Sequence, residues 1–169
     1  MDKRVIAIIV ILIIGLGCMF HIATTSNTVG SAITTFSKTS VTLPDGFSVG
    51  DTSGKTAELY NKNSAEKINI TDLGKNDTVL KEFEHNLYKL SKNQTIKDIS
   101  NSTKTINNLT VYTITYESDN GTEYNSFVYT YNHTYSINMV GFKDADRVNG
   151  ILDFVVKTIV PDYKQGSDK

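Results

Sequence analysis

The 169-residue sequence predicts an α+β fold, in which two amphipathic helices cover an antiparallel sheet and one N-terminal helix spans a membrane. Three observations predict it: an uncharged apolar run near the N-terminus, two segments with apolar residues at spacings of three and four, and several short β-rich segments separated by turn residues. A sheet with one apolar face is stable when helices cover that face, which is the layered α+β arrangement.

The first element is the apolar run 5–23, VIAIIVILIIGLGCMFHIA, which follows Lys3 and Arg4. At about 1.5 Å per residue, a helix of this length nearly matches a hydrocarbon core of roughly 30 Å. The next positive charge is Lys38, and basic residues favour the cytoplasmic side of a span. We therefore expect residues 1–4 to be cytoplasmic, 5–23 to be a transmembrane signal anchor, and the remainder to lie outside the cytoplasm.

Two other fates of this run stay open. A cleaved secretory signal has a shorter apolar region and small residues before the cleavage site, whereas His21 precedes Ala23 here at a position that wants a small residue. A lipoprotein signal has a branched aliphatic residue three positions before the modified cysteine, and Gly15 stands there relative to Cys18. A cleaved or lipidated protein would place the same fold on the same side of the membrane.

Composition limits the chemistry of the exported part. Of the 17 basic and 18 acidic residues only Asp2, Lys3 and Arg4 lie in the first 23, so 15 and 17 remain, a net charge of −2. This balance predicts no nucleic-acid partner, because phosphate binding needs a basic surface. Cys18 is the only cysteine, so the exported part has no disulfide and no thiol nucleophile.

The chain after the apolar run divides into three parts. The Ser/Thr-rich residues 24–39 are predicted to be a flexible linker, 40–163 an extracytoplasmic α+β domain, and 164–169 a disordered tail. Two short strands are expected on either side of the turn Pro44-Asp45-Gly46. A hairpin follows, with strands near 56–61 and 67–72.

Two amphipathic helices are predicted. The first covers about 78–91 and is capped by Asp77, and the second begins after its cap Asp144 and ends before Pro161. Their apolar stripes consist of Leu80, Phe83, Leu87 and Leu90 in the first helix, and Val148, Ile151, Leu152, Val155 and Ile159 in the second.

Between the helices we expect a short strand near 95–99 and three longer ones, LTVYTITYES, EYNSFVYTYN and TYSINMVGF. Asn120-Gly121 is a favoured two-residue hairpin turn, and it would pair Ile114 with Phe127. A three-residue loop at 132–134 would place the next strand's apolar residues on the same face. Both helices would then cover this one face. The residues predicted to be inaccessible to solvent are Leu80, Phe83, Ile114, Phe127, Ile137, Ile151 and Val155.

The order of elements resembles the PsbP/Mog1-like domains, which include DcrB- and LpqN-type exported proteins. The resemblance rests on VTLPDGFSV, a hairpin, a helix, an antiparallel meander ending in YSINMVGF, and a last helix running into TIVPD. It covers roughly residues 40–163 and departs at Phe47, where many relatives carry Trp. It implies an accessory or binding module without catalysis, and it transfers no site residue. The Asn-, Ile- and Thr-rich composition also resembles small surface proteins of methanogenic archaea.

No catalytic or metal-binding residue can be assigned from the sequence. His85 is expected on an exposed helix side and His133 in a hairpin loop, both in solvent. Oxygen ligands at Asp72, Asn76 and Asp77 fit no recognised calcium loop. We therefore predict no catalytic residue, no metal site and no cofactor.

The tyrosines leave two interpretations open. Tyr112, Tyr116, Tyr129, Tyr131 and Tyr135 alternate along the strands. Core packing with the hydroxyl at a rim is the ordinary role of such residues, and an aromatic ligand groove is the alternative.

N-glycosylation is another prediction that depends on the exported location. The acceptor pattern Asn-x-Ser/Thr occurs seven times, more often than the composition predicts by chance. The candidate acceptors are Asn69, Asn76, Asn93, Asn101, Asn108, Asn120 and Asn132.

These features together predict a single-pass cell-membrane protein whose C-terminal domain is an extracytoplasmic, non-catalytic binding or accessory module. Its partners would be the lipid bilayer, through the N-terminal helix, and an envelope protein. The alternatives are an envelope-associated hydrolase with unidentified catalytic residues, and a cleaved or lipidated secreted protein of the same fold.

Overall fold

The structure is a computed structural model that describes residues 33–161. The predicted cytoplasmic N-terminus, the signal anchor at 5–23, Cys18 and the tail at 164–169 lie outside the described residues. Strands make up 51% and helices 22% of the described part. Within it, no helix combines the length and the apolar character needed to cross a bilayer.

Ten strands and two helices form this part of the chain. The strands are β1 (Ile33–Phe36), β2 (Thr39–Thr42), β3 (Phe47–Val49), β4 (Thr56–Asn61), β5 (Lys67–Lys75), β6 (Lys97–Ile106), β7 (Leu109–Ser118), β8 (Gly121–Thr130), β9 (His133–Val140) and β10 (Val160–Pro161). The helices are α1 (Val79–Lys92), between β5 and β6, and α2 (Ala145–Thr158), between β9 and β10.

The strands form two antiparallel sheets. The large sheet has seven strands in the order β3-β4-β5-β9-β8-β7-β6, and the small sheet has the order β1-β2-β10. The long pairing of β5 with β9 brings together two strands separated by a helix and three other strands. The small sheet packs with α2, since Phe36 and Val41 belong to the same core cluster as the apolar residues of that helix.

Both faces of the large sheet bury apolar side chains, and each face carries one helix. On β8, Phe127 packs in a cluster with Val79 and Phe83 of α1, whereas its neighbour Val128 packs in a cluster with Leu152 of α2. Successive side chains of a strand point to opposite faces. The two helices therefore lie on opposite faces of the sheet.

The predicted fold class is wrong in this respect. It placed both helices on one face of a half-exposed sheet, whereas the described part is mostly strand and holds the sheet between two helices. The predicted transmembrane helix at 5–23 lies outside the described residues. The second layer on the α2 side also includes the small sheet. Its strand β1 lies inside the range 24–39 that was predicted to be a linker, so ordered structure begins before residue 40.

The hairpin turns explain the error. The β7–β8 turn consists of Asp119 and Asn120, with Ser118 paired to Gly121, so the predicted register is shifted by two residues and keeps its faces. The β8–β9 loop has two residues, Tyr131 and Asn132, with φ of 51° and 64°, instead of the predicted three. Because side-chain direction alternates, this one-residue difference moves the apolar residues of β9 to the opposite face from Phe127.

The local elements are closer to prediction. The strands 56–61 and 109–118 are confirmed, and α1 and its predicted range differ by one residue at each end. Asp144 caps α2 by accepting a hydrogen bond from the Asp146 backbone N–H at 2.9 Å. Of the residues predicted to be inaccessible, Ile114, Phe127, Ile137 and Val155 are buried, Phe83 and Ile151 are half-buried, and Leu80 is 50% exposed.

Candidate functional site

A groove with a volume of about 570 Å³ lies between the first turn of α1 and the sheet. We call it the tyrosine groove. Helix α1 supplies Leu80 and Lys81, β7 supplies Leu109 and Tyr112, and β8 supplies Tyr129. A second hollow of about 380 Å³ continues past Leu109 and Tyr129 to the β8–β9 turn.

Packing beneath the groove holds its aromatic wall in place. The rings of Phe83 and Tyr112 are 5.5 Å apart and tilted, and Phe83 meets Phe127 edge to face at 6.4 Å. Tyr129 donates a long hydrogen bond of 3.4 Å from its hydroxyl to Asn132 Oδ1. The tyrosine rings therefore keep one apolar side toward the groove while their packing fixes the other.

The start of α1 is tied directly to the sheet. The Thr78 backbone N–H donates to Thr134 Oγ1 at 3.1 Å, and Thr134 Oγ1 donates to the Asn76 carbonyl at 2.9 Å. Asp77 lies beside this junction, and its carboxylate accepts from the Val79 N–H at 3.4 Å. These bonds fix the position of Leu80, which projects half-exposed at the groove instead of joining the core stripe as predicted.

The groove combines an apolar floor with a polar rim. Leu80 and the two tyrosine rings offer apolar surface, and Lys81, Asp77 and Asn108 offer charge and hydrogen bonds at its edge. Ligand sites have this character: mostly apolar walls and a few polar groups that fix orientation. The sequence contained a partial signal, since Tyr112 and Tyr129 share a face, but the exposure of Leu80 could not be read from helical spacing.

A second polar feature lies on the other face, where Asp72 meets His133. His133 Nδ1 is 2.9 Å from both carboxylate oxygens of Asp72, and Asp72 Oδ1 accepts from the Gly74 N–H at 2.8 Å. The Asp72 side chain is 2% exposed and that of His133 is 25% exposed. The prediction of a solvated loop position for His133 is wrong, because the shorter β8–β9 loop makes it the first residue of β9.

The Asp72–His133 pair lies at the β-bulge of β5, where the register with β9 shifts between Asp72 and Gly74. The ring of His133 stacks on that of Tyr135 at 6.1 Å, and the Tyr135 hydroxyl hydrogen-bonds Thr39 of the small sheet at 2.9 Å. The pair therefore links the bulge to the packing between the two sheets.

Tyr116 shows how burial affects a hydroxyl next to a carboxylate. Its hydroxyl donates to Glu123 Oε2 at 2.9 Å, and Glu123 also accepts from Ser118. Burial of the ring, followed by the hydrogen bond to Glu123, raises the pKa of Tyr116 to about 12. This tyrosine stays protonated at neutral pH and acts as a hydrogen-bond donor.

The other residues singled out in the sequence do not converge. His85 is exposed on α1, and Asn76 and Asp77 are exposed while Asp72 is buried. Across residues 33–161, no three His, Cys, Asp or Glu side chains are placed to share a metal ion. Six candidate glycosylation acceptors are exposed and Asn69 is half-buried, and glycosylation stays a prediction.

The sequence matches no protein-family model and no curated protein. The solution structure of cyanobacterial PsbP (CyanoP) from Synechocystis sp. PCC 6803 superposes with a TM-score of 0.50 at 10% identity, over 73% of this chain and 86% of that one. A crystal structure from Bacteroides thetaiotaomicron VPI-5482 gives a TM-score of 0.41 at 12% identity, over 73% of this chain and 45% of that chain.

The described domain is thus a layered β-sheet protein with one helix on each face, and its fold is PsbP-like. The predicted resemblance to PsbP is confirmed at the level of the fold. The resemblances to Mog1 and to archaeal surface proteins stay predictions.

Proposed function

We propose that the protein is a non-catalytic binding module that works outside the cytoplasm, held at a membrane by its apolar N-terminal segment. The observation that carries the proposal is the tyrosine groove, a preformed hollow with an apolar floor and a polar rim. The PsbP-like fold supports an accessory or binding role by resemblance. The location is supported by the apolar run 5–23 and the basic residues before it.

The lining of the groove defines the kind of ligand. Leu80, Tyr112 and Tyr129 favour a small molecule or side chain with a flat apolar body. Lys81 at the rim favours a negative or hydrogen-bond-accepting end on the same ligand, since an ammonium group donates hydrogen bonds and accepts none.

Binding is tested with the full-length chain and the dye 1-anilinonaphthalene-8-sulfonate, an aromatic anion with an apolar body. Dye fluorescence should rise in a saturable way, and Tyr129→Ala should weaken binding about tenfold by removing one wall. Tyr88→Ala is the matched control. Tyr88 is also a tyrosine, lies on α1 outside the groove and is 63% exposed. Equal binding by wild type and Tyr129→Ala contradicts the proposed site.

The location is tested separately in intact cells with a tag at the C-terminus. External protease should remove the tag from whole cells, and the tagged chain should sediment with membranes. Protection of the tag until the cells are lysed contradicts an extracytoplasmic location, whatever the result of the dye experiment.

A further inference from the structure

A row of three asparagines crosses the α1 face of the large sheet beside the strands that α1 covers. Asn69 of β5 is paired with Asn138 of β9, and Asn138 is paired with Asn125 of β8. Directly opposed residues on neighbouring strands have side chains on one face, with Cβ atoms about 5 Å apart. We call these three residues the amide row, and all three are half-buried.

Two members of the amide row are held in place by neighbours. Ser136 Oγ donates to Asn125 Oδ1 at 2.9 Å, and the Asn138 amide hydrogen-bonds the hydroxyl of Tyr116, which Glu123 holds in turn. Each of these amides has one end committed and the other end available. The row is therefore oriented by the protein before any ligand arrives.

Asn69 is the open member of the row. Among residues 33–161 its side-chain amide has no hydrogen-bond partner, although it is half-buried on a strand. It also lines a hollow of about 330 Å³ together with Lys67, Val140 and Asn120. A concave space thus adjoins the one amide that offers both a donor and an acceptor.

The charge and chemistry around the row select the ligand class. The charged residues beside the row on this face are Lys67, Glu58 and Glu123, so the local charge is negative by one and does not attract phosphate or sulfate. Apolar surface is limited mainly to Val140 and the ring of Tyr60, less than the core of a protein–protein interface requires. Amides that donate and accept side by side match neighbouring hydroxyl groups, which do the same.

We propose that the amide row and its adjoining hollow bind a neutral saccharide. Asn69 accepts from one sugar hydroxyl and donates to another, and Asn138 and Asn125 extend the contact along the face. The ring of Tyr60, at the β4 side of the same face, supplies an apolar surface for the C–H face of the sugar. This site is separate from the tyrosine groove and does not depend on it.

The experiment uses full-length protein made in a host that does not N-glycosylate, applied to an array of immobilised oligosaccharides. Neutral hexose and N-acetylhexosamine oligomers are compared with sialylated and sulfated ones. The proposal predicts retention on neutral glycans, about tenfold weaker binding for Asn69→Ala, and unchanged dye binding in the groove. Thermal unfolding of this variant should match wild type, because its amide has no partner in the described domain.

Two control variants make the result specific. Thr71→Val destroys the acceptor pattern Asn69-Ile70-Thr71 but keeps the Asn69 amide, so it should bind like wild type. Asn101→Ala changes an exposed asparagine on the distant edge strand β6 and should also bind like wild type. Retention only on charged glycans, no retention on any glycan, or equal binding by Asn69→Ala overturns the proposal.

Discussion

The Arg147 guanidinium donates two hydrogen bonds to the carboxylate of Glu66, from Nε to Oε1 at 2.6 Å and from Nη2 to Oε2 at 2.8 Å. Glu66 lies in the β4–β5 turn and Arg147 in the first turn of α2, and the side chain of Asn61 adds a third bond to the carboxylate. The ion pair therefore joins the turn to the helix, and its Arg147 bonds are the main reason that the pKa of Glu66 lies below its ordinary value.

Loss of this ion pair should appear as a pH-dependent change in stability. Because the pKa of Glu66 is lowered on folding, its contribution is complete above its ordinary value of 4.5 and disappears as pH falls through the folded-state pKa. Glu66→Gln should destabilise the domain by about 1–2 kcal/mol at pH 7, a modest loss since Arg147 is 42% exposed. Urea unfolding should show the wild-type advantage shrinking below pH 4.5; a constant advantage down to low pH contradicts this.

Gly141 makes the closest backbone approach in the same region. Its φ is +81°, and a Cβ there would lie 2.3 Å from the Ala65 carbonyl oxygen. Gly141→Ala should destabilise the domain by about 3 kcal/mol, since both conformational strain and a clash with backbone result. Gly54→Ala is the control, with φ of +59° and nothing within 4 Å, and should cost only about 1 kcal/mol. Equal melting temperatures for the two variants contradict the close approach.

Asp72 should be important for stability although it is not catalytic in this account. Its buried carboxylate accepts from Gly74 and contacts His133, so Asp72→Ala leaves the half-buried Gly74 N–H and His133 ring without their partner and should cost about 2–3 kcal/mol. Asp153→Ala breaks an exposed helical ion pair with Lys157 and should cost about 0.5 kcal/mol. Chemical denaturation of both variants checks the difference, and similar losses from the two would contradict a structural role for the Asp72 site.

The environment of Tyr116 predicts a loss of folding stability at high pH. Its pKa is raised to about 12 by burial and by Glu123, so the unfolded chain releases this proton at lower pH than the folded domain. The stabilising difference is complete below the ordinary value of 10 and is lost as pH rises toward 12. Wild type should lose more stability than Tyr116→Phe across this range, and parallel losses in both proteins contradict the environment described for Tyr116.

The elements that the sequence predicted best are those with strong local signals. The β7 strand alternates over ten residues, and α2 has a capping Asp144 and a regular apolar stripe. Strand β6 was recognised only near 95–99 although it spans Lys97–Ile106. Its residues are polar and mostly exposed because it forms an edge of the sheet, where one face and one side meet solvent.

The prediction of which side chains share a face of the sheet rested on a weaker signal. Both alternating sets of side chains on β8 are buried, Phe127 on one face and Ser126 and Val128 on the other, so polarity did not show which face carried the core. The β8–β9 loop then decided the faces, and Tyr131 takes a positive φ that a tyrosine rarely adopts. The face of Tyr129 does not depend on this loop, because Tyr129 lies two residues from Phe127 on β8 and shares its face. The exposure of Leu80 is the part of the candidate site that the sequence could not predict.

The central claim is that the hollow between α1 and the sheet binds ligand, and amide chemical-shift mapping of the full-length chain with 1-anilinonaphthalene-8-sulfonate tests it most directly. The largest shifts should fall on Leu80, Lys81, Leu109 and Thr110, and Leu80→Glu should abolish them with little loss of stability, since Leu80 is 50% exposed. Shifts confined to α2 and the small sheet, or shifts that persist in Leu80→Glu, would contradict the account.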